Sequence, residues 1–134
     1  MKLVVAALTI AALCTACGLQ VQSADLFLLT RAGPGKKLTL LFNDSGTVSC
    51  NGAASKSLPD PLLLQARDLA ASLDKDAKAK LRIPAGARTV YRYTVTLQDG
   101  SISFPDTAAA QHSELAQAEL LTVQVAQGSC GLSG

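Results

Sequence analysis

A chain of 134 residues with 49% hydrophobic and 16% charged side chains carries one domain's worth of sequence and enough apolar material for an ordinary core, which excludes a disordered chain. Twelve basic against ten acidic side chains leave a net charge of +2, and no basic stripe is interleaved with aromatics, so nucleic acid is excluded as a partner. With no Trp, one Met and a single His, little is present from which proton-transfer or metal chemistry could be assembled.

Met1 and Lys2 make a short positive start, followed by an apolar stretch from Leu3 to Leu13 interrupted only by Thr9. About eleven residues fall short of the roughly twenty needed to cross a bilayer core, so the stretch predicts the central region of an export signal. Cys17 follows the small residues Thr15 and Ala16 and precedes Gly18. This resembles the lipobox of bacterial lipoproteins, in which a signal peptidase cuts before a cysteine that receives lipid. The resemblance implies a signal peptide over residues 1–16, a lipidated Cys17 with a tether over 17–24, and a single domain over 25–134. The chain is then expected to be held at the cell membrane, facing the extracytoplasmic side, with two acyl chains making the anchor stable. Cys14 stands where the motif usually has Leu, and bulky Leu13 before it makes Cys14 the poorer lipid acceptor. The alternative is an ordinary secretory signal cut near residues 21–24, which also places the domain outside the cytoplasm.

Cys50 and Cys130 are the remaining cysteines, and an even pair in an exported chain predicts one disulfide. It would close a loop of about 80 residues and clamp the C-terminal tail onto the sheet. A metal site is the rival reading, but it needs three or four ligands and only His112 stands elsewhere as a nitrogen donor. No cofactor is expected.

Residues 25–33 form a continuous apolar run ended by Gly33-Pro34-Gly35, which predicts a strand and then a turn. Leu38, Leu40 and Phe42 alternate with Thr39 and Leu41, Asn43 to Gly46 carries turn chemistry, and Thr47 to Cys50 makes a short strand. Asp60 is the expected N-cap of a helix with Pro61 at its first position. Leu62, Ala66, Leu69, Ala70 and Leu73 recur on one face, and the mixed charges from Asp74 to Lys80 either continue the helix or fray. Tyr91, Tyr93, Val95 and Leu97 alternate strictly, with Asp99-Gly100 as a two-residue hairpin signal before Ser101 to Phe104. Asp106 or Thr107 is an expected helix cap, and Leu115, Ala118, Leu121 or Thr122, and Val125 have helical spacing. Residues 120–126 also suit a strand, with helix preferred. The expected fold is α+β, an antiparallel sheet of hairpins with two helices packed on one face.

Asp106, His112 and Ser113 are the residue types of a nucleophilic triad, but adjacent His and Ser on a helix point about 100° apart and cannot share attack geometry. Glu114 and Glu119 lie on different helix faces and make a poor acid/base pair. The turn at residues 33–37 lacks the rest of a P-loop. Arg31, Lys36 and Lys37 around it form a small positive knob, either a binding loop or a solubilising turn. No catalytic residue is assigned, and a binding or structural role for a monomer is expected.

The blocks "ADLFLLTRAG", "FNDSGTVSCNG", "ARDLAASL", "YRYTVTLQDGSISFPDT" and "SELAQAEL" resemble a group of small exported lipoproteins of high-GC Gram-positive bacteria. The order of an Arg-Gly after the first strand, a helix carrying "ARDL" and a "YRYTV" strand ending in Asp-Gly is also similar to the emfourin family of inhibitors of thermolysin-like metalloproteases. That similarity implies a small α+β protein that occupies a protease cleft without catalytic residues. This chain differs from the family in its anchor signal before the first strand and in Cys50 and Cys130, so a role is implied but no contact residues. Asp25 to Arg31 and the turn Gly33, Pro34 and Gly35, with Lys36 and Lys37 beside it, are the expected contact region. The expected function is a lipid-anchored envelope module that binds an extracytoplasmic protein such as a protease. The alternatives are an accessory lipoprotein docking through its sheet, and a small-molecule or lipid carrier. A carrier needs several hundred Å³ of pocket, which is expected to hollow a core of this size.

Overall fold

The computed structural model describes residues 21, 22 and 24–133. Cys14, Cys17, the signal sequence and part of the tether lie outside the described residues. No helix among the described residues is long and apolar enough to cross a membrane.

Six antiparallel strands form one sheet: β1 (Asp25–Gly33), β2 (Lys36–Asn43), β3 (Thr47–Cys50), β4 (Lys56–Ser57), β5 (Arg92–Leu97) and β6 (Gly100–Pro105), in the spatial order β4-β3-β2-β1-β5-β6. Period-two alternation explains which face is buried. Phe27 and Leu29 of β1, Leu40 and Phe42 of β2, and Val95 of β5 are fully buried, while Leu28, Thr30, Thr39, Leu41, Thr94 and Thr96 between them are half-buried on the other face. Strand pairing lines up the buried set as Phe42–Phe27 and Leu40–Leu29–Val95–Ile102. Phe27 and Phe42 pack with ring centroids 4.7 Å apart, and Tyr93 stacks on Phe104 at 5.3 Å.

Two helices cover that face, so the expected α+β architecture holds. Helix α1 (Asp60–Lys78) buries Ala66, Leu69, Leu73 and Ala77, one per turn, and the charged stretch continues the helix as far as Lys78, with Ala79 and Lys80 beyond its end. Its start differs from expectation. Pro59 occupies the cap position, its carbonyl accepting the N–H groups of Leu62 and Leu63, and Asp60 is the first helical residue with no side-chain cap bond. A carboxylate in the first turn still complements the helix dipole.

The second hairpin also differs in detail. Leu97 pairs with Gly100, so the turn residues are Gln98 and Asp99, and Gly100 begins β6. The glycine is required by packing: a Cβ there would collide with the carbonyl of Ala77 at the end of α1. After β6 a 3₁₀ turn (Asp106–Ala110) leads to helix α2 (Ser113–Gln127), with His112 at its cap position. Neither Asp106 nor Thr107 caps it. Residues 120–126 are helical, and buried Thr122 satisfies its hydroxyl by donating to the Ala118 carbonyl at 2.7 Å.

Two features carry no period-two signal: the exposed two-residue β4, and a crossing of Leu81 to Ile83 along the free edge of β6. There Ile83 N–H donates to Ser103 and Ser103 N–H donates to Leu81. This covers an edge that would otherwise offer unpaired backbone.

Candidate binding groove

The disulfide joins Cys50 at the end of β3 to Cys130 just past α2, 80 residues apart, with Cα atoms 5.9 Å from each other. Beyond it the tail folds back, Cys130 N–H donating to the Val125 carbonyl and Leu132 N–H to that of Ala126. Leu132 and Ser133 thus lie beside the last turns of α2. On the other side of the bridge, Asn51 takes the left-handed conformation (φ 52°), accepts the Thr39 N–H through Oδ1 at 2.9 Å and donates its own N–H back to Thr39. The bridge therefore holds together two walls, one from β3 and one from the tail.

Between those walls and the tip of the β1–β2 hairpin lies an open groove of about 480 Å³. It is lined by the polar residues Arg31, Lys36, Lys37 and Tyr91 and the apolar residues Leu38, Val123, Ala126 and Leu132. Val123 and Leu132 are each 38% exposed, so apolar surface is left facing the cavity.

The position of Tyr91 is over-determined. Its N–H donates to an Asp106 carboxylate oxygen at 3.1 Å, and its carbonyl accepts the Asp106 N–H at 2.9 Å. Its ring lies on Gly33, where a Cβ would approach the ring carbons to 2.5 Å. The Arg31 guanidinium sits over the same ring, with its Cζ 4.9 Å from the centroid. Such cation–π contact orients a guanidinium without consuming its N–H donors. No carboxylate among the described residues lies within 4 Å of Arg31, Lys36 or Lys37.

Glu119 of α2 lies behind this region. Its Oε1 is buried without a partner, and burial, then the charge of Asp106, push its pKa up to about 7. Burial also raises the Tyr93 hydroxyl, with Glu119 adding to the shift and Arg31 opposing it.

The residues expected to make contacts thus separate. Arg31, Gly35, Lys36 and Lys37 line the groove, Gly33 seats Tyr91, and Pro34 with Gly35 (φ 68°) forms the two-residue turn at the hairpin tip. Asp25 is at the other end of β1, accepting hydrogen bonds from Asn43 Nδ2 at 3.0 Å and the Gln22 N–H at 3.1 Å. Strand β1 is bonded on both sides over residues 28–32, so that stretch has no free backbone edge to offer. Tyr91, Asn51, Val123 and Leu132 come from four other stretches, and only the Tyr91 alternation was visible beforehand. Among the described residues no three His, Cys, Asp or Glu side chains are grouped to hold a metal ion. The chain matches no protein-family model, no curated protein and no solved structure.

Proposed function

We propose that this chain is a non-enzymatic binding module of the cell envelope, anchored through lipid on Cys17, that presents the hairpin tip at residues 33–37 to an extracytoplasmic protein. The observation that carries the reading is the polarity of β1. Residues 22 and 24 lie at its start, and the tip with Lys36 and Lys37 lies at its end, eight residue steps or about 26 Å away. A tether at the first end leaves the second pointing outward.

The tip suits recognition because it is stiff: Pro34 and Gly35 close it, and the disulfide braces the ground behind it. A preordered loop loses less entropy on binding. The outer sheet face is rich in Thr and Ser, with Leu28 and Leu41 half-buried among them, which does not make the broad apolar patch that docking through the sheet requires. The similarity to metalloprotease inhibitors makes a thermolysin-like protease the first partner to test.

The full chain is expressed in a Gram-positive host with an alkyne-labelled fatty acid. Label is expected on the wild type and absent from Cys17→Ser; an unlabelled wild type removes the anchor. Detergent-released protein is then titrated into a thermolysin-like protease. Inhibition weakened at least tenfold by charge reversal at Lys36 and Lys37 is expected, and no inhibition at tens of micromolar removes the protease as partner.

A further inference from the structure

We propose that the groove behind the hairpin tip, which shares Lys36 and Lys37 with the tip, is a site for a small amphiphilic carboxylate, an apolar group ending in a carboxylate. Three observations converge on that ligand class. First, three cations, Arg31, Lys36 and Lys37, are among the lining residues, with no carboxylate partner among the described residues. Second, the same groove is lined by apolar side chains, of which Val123 and Leu132 are partly exposed. Third, the volume of about 480 Å³ falls in the range of small-ligand sites while lying outside the core.

The donors favour a carboxylate over other anions. Arg31 stands over Tyr91 and hydrogen-bonds the Tyr93 side chain, and its remaining N–H groups belong to the planar fork that meets two coplanar oxygens. Asn51 has its Oδ1 committed to the Thr39 N–H, which turns its amide group so that Nδ2 is the free donor. Both are planar donors in the groove lining. Lys36 and Lys37 are exposed on the rim and supply long-range attraction. The apolar part of the ligand would then lie along Leu38, Ala126 and Leu132.

Rigidity comes from the same bridge that builds the walls. Asn51 follows Cys50 directly and Leu132 follows Cys130 by two residues, so the disulfide fixes the distance between Asn51 and the apolar tail residue. Ligand affinity should therefore depend on the bridge being intact, whereas a simple charge attraction to the lysines would not.

The source of such a ligand is either a free acyl chain or the C-terminal residue of a peptide, and the two are separable. Full-length protein released from the membrane is titrated by calorimetry with decanoate, decanol, decyl phosphate, a tripeptide ending in leucine, and the same tripeptide as its amide. Shifts of the Tyr91, Lys37 and Leu132 amides are followed by NMR. Saturable decanoate binding at least tenfold tighter than decanol assigns a free acyl chain; tripeptide binding lost in the amide assigns a peptide terminus. In either case Arg31→Gln and the tail variant Leu132→Asp, which changes an exposed residue and leaves the fold intact, should each weaken binding at least tenfold, and reduction of the disulfide should do the same. Binding of neither carboxylate, equal binding of decanol, tighter binding of decyl phosphate, or affinity unmoved by both variants overturns the proposal. None of these readouts involves a protease or the lipid, so the proposal fails or stands apart from the protein-partner reading.

Discussion

Asp106 and Tyr91 hold each other from both directions, the Tyr91 N–H donating to the Asp106 carboxylate at 3.1 Å and the Asp106 N–H donating to the Tyr91 carbonyl at 2.9 Å. This exchange joins the start of the 3₁₀ turn to the residue before β5, and it fixes the ring on which Arg31 rests. It also explains why Asp106 does not cap a helix: its carboxylate is already occupied by the N–H groups of Val90 and Tyr91.

Replacing Asp106 by Ala should release Tyr91. Hydrogen bonds to a charged acceptor contribute about 1.5–3 kcal/mol, and partial exposure of this one places the expected loss near 1–2 kcal/mol in urea unfolding. Gly33→Ala attacks the same ring from below, since the added Cβ meets it at 2.5 Å. Both variants should move the Tyr91 ring signals in NMR, and unchanged ring signals would show that the ring is not seated there.

Glu119 makes stability depend on pH. Its carboxyl titrates near 7 in the folded chain because burial and the Asp106 charge disfavour the anion, against the ordinary value of 4.5 in an unfolded chain. The folded state therefore holds the proton more tightly. The contribution is fully present below about pH 4.5, declines as pH rises, and is gone above about 7. The carboxyl keeps partial access to water, so screening reduces the effect to about 1 kcal/mol. Glu119→Gln should flatten the melting temperature between pH 5 and 8 and exceed the wild type at pH 8. Parallel curves for the two proteins would rule Glu119 out as the titrating group.

Which parts of this arrangement were legible beforehand follows from the range of the interactions involved. Leu38, Leu40 and Phe42, or Tyr93, Val95 and Leu97, announce their strands because burial on one face imposes a two-residue period on neighbours in sequence. Lys56 and Ser57 announce nothing, being two exposed residues whose pairing with Val48 and Thr47 is dictated by where the chain has to turn. The groove was half visible. Arg31, Lys36 and Lys37 share one turn, but Asn51, Tyr91, Val123 and Leu132 meet them only through strand pairing and the disulfide. Asp25 stands apart from them, because seven residues of strand separate the two ends of β1 by roughly 20 Å or more. The objection to a ligand pocket failed for a related reason: the space lies between hairpin tip and tail, where no core has to be hollowed.

Gly100 tests the packing explanation of the second hairpin. If the glycine served the turn, the cost of Ala would be backbone strain; here the added Cβ strikes the Ala77 carbonyl. Overpacking of this kind costs about 1–3 kcal/mol. Gly86→Ala is the control, because nothing lies within 4 Å of the added methyl and its backbone does not have positive φ. It should leave stability within about 0.5 kcal/mol. Equal effects of the two substitutions in chemical denaturation would discard the contact between α1 and β6 as the reason for the glycine.

Removing the bridge separates stability from groove geometry. Chain entropy for a closed loop of this length amounts to about 4–5 kcal/mol, and measured losses for native disulfides run about 2–5 kcal/mol. For a domain of this size a loss of 2 kcal/mol lowers the melting temperature by roughly 10 °C. The core itself does not need the bridge, since Phe27, Leu29, Phe42, Leu69 and Leu73 are buried away from any exposed edge. The Cys50→Ala, Cys130→Ala double variant should therefore melt cooperatively at reduced temperature, with native circular dichroism at 10 °C. Hydrogen exchange should then rise first at Asn51 and at Leu132, whose N–H bond to the Ala126 carbonyl fastens the tail. A variant that melts with the wild type, or whose exchange rises evenly over the sheet, would show that the two walls are held by something other than this bond.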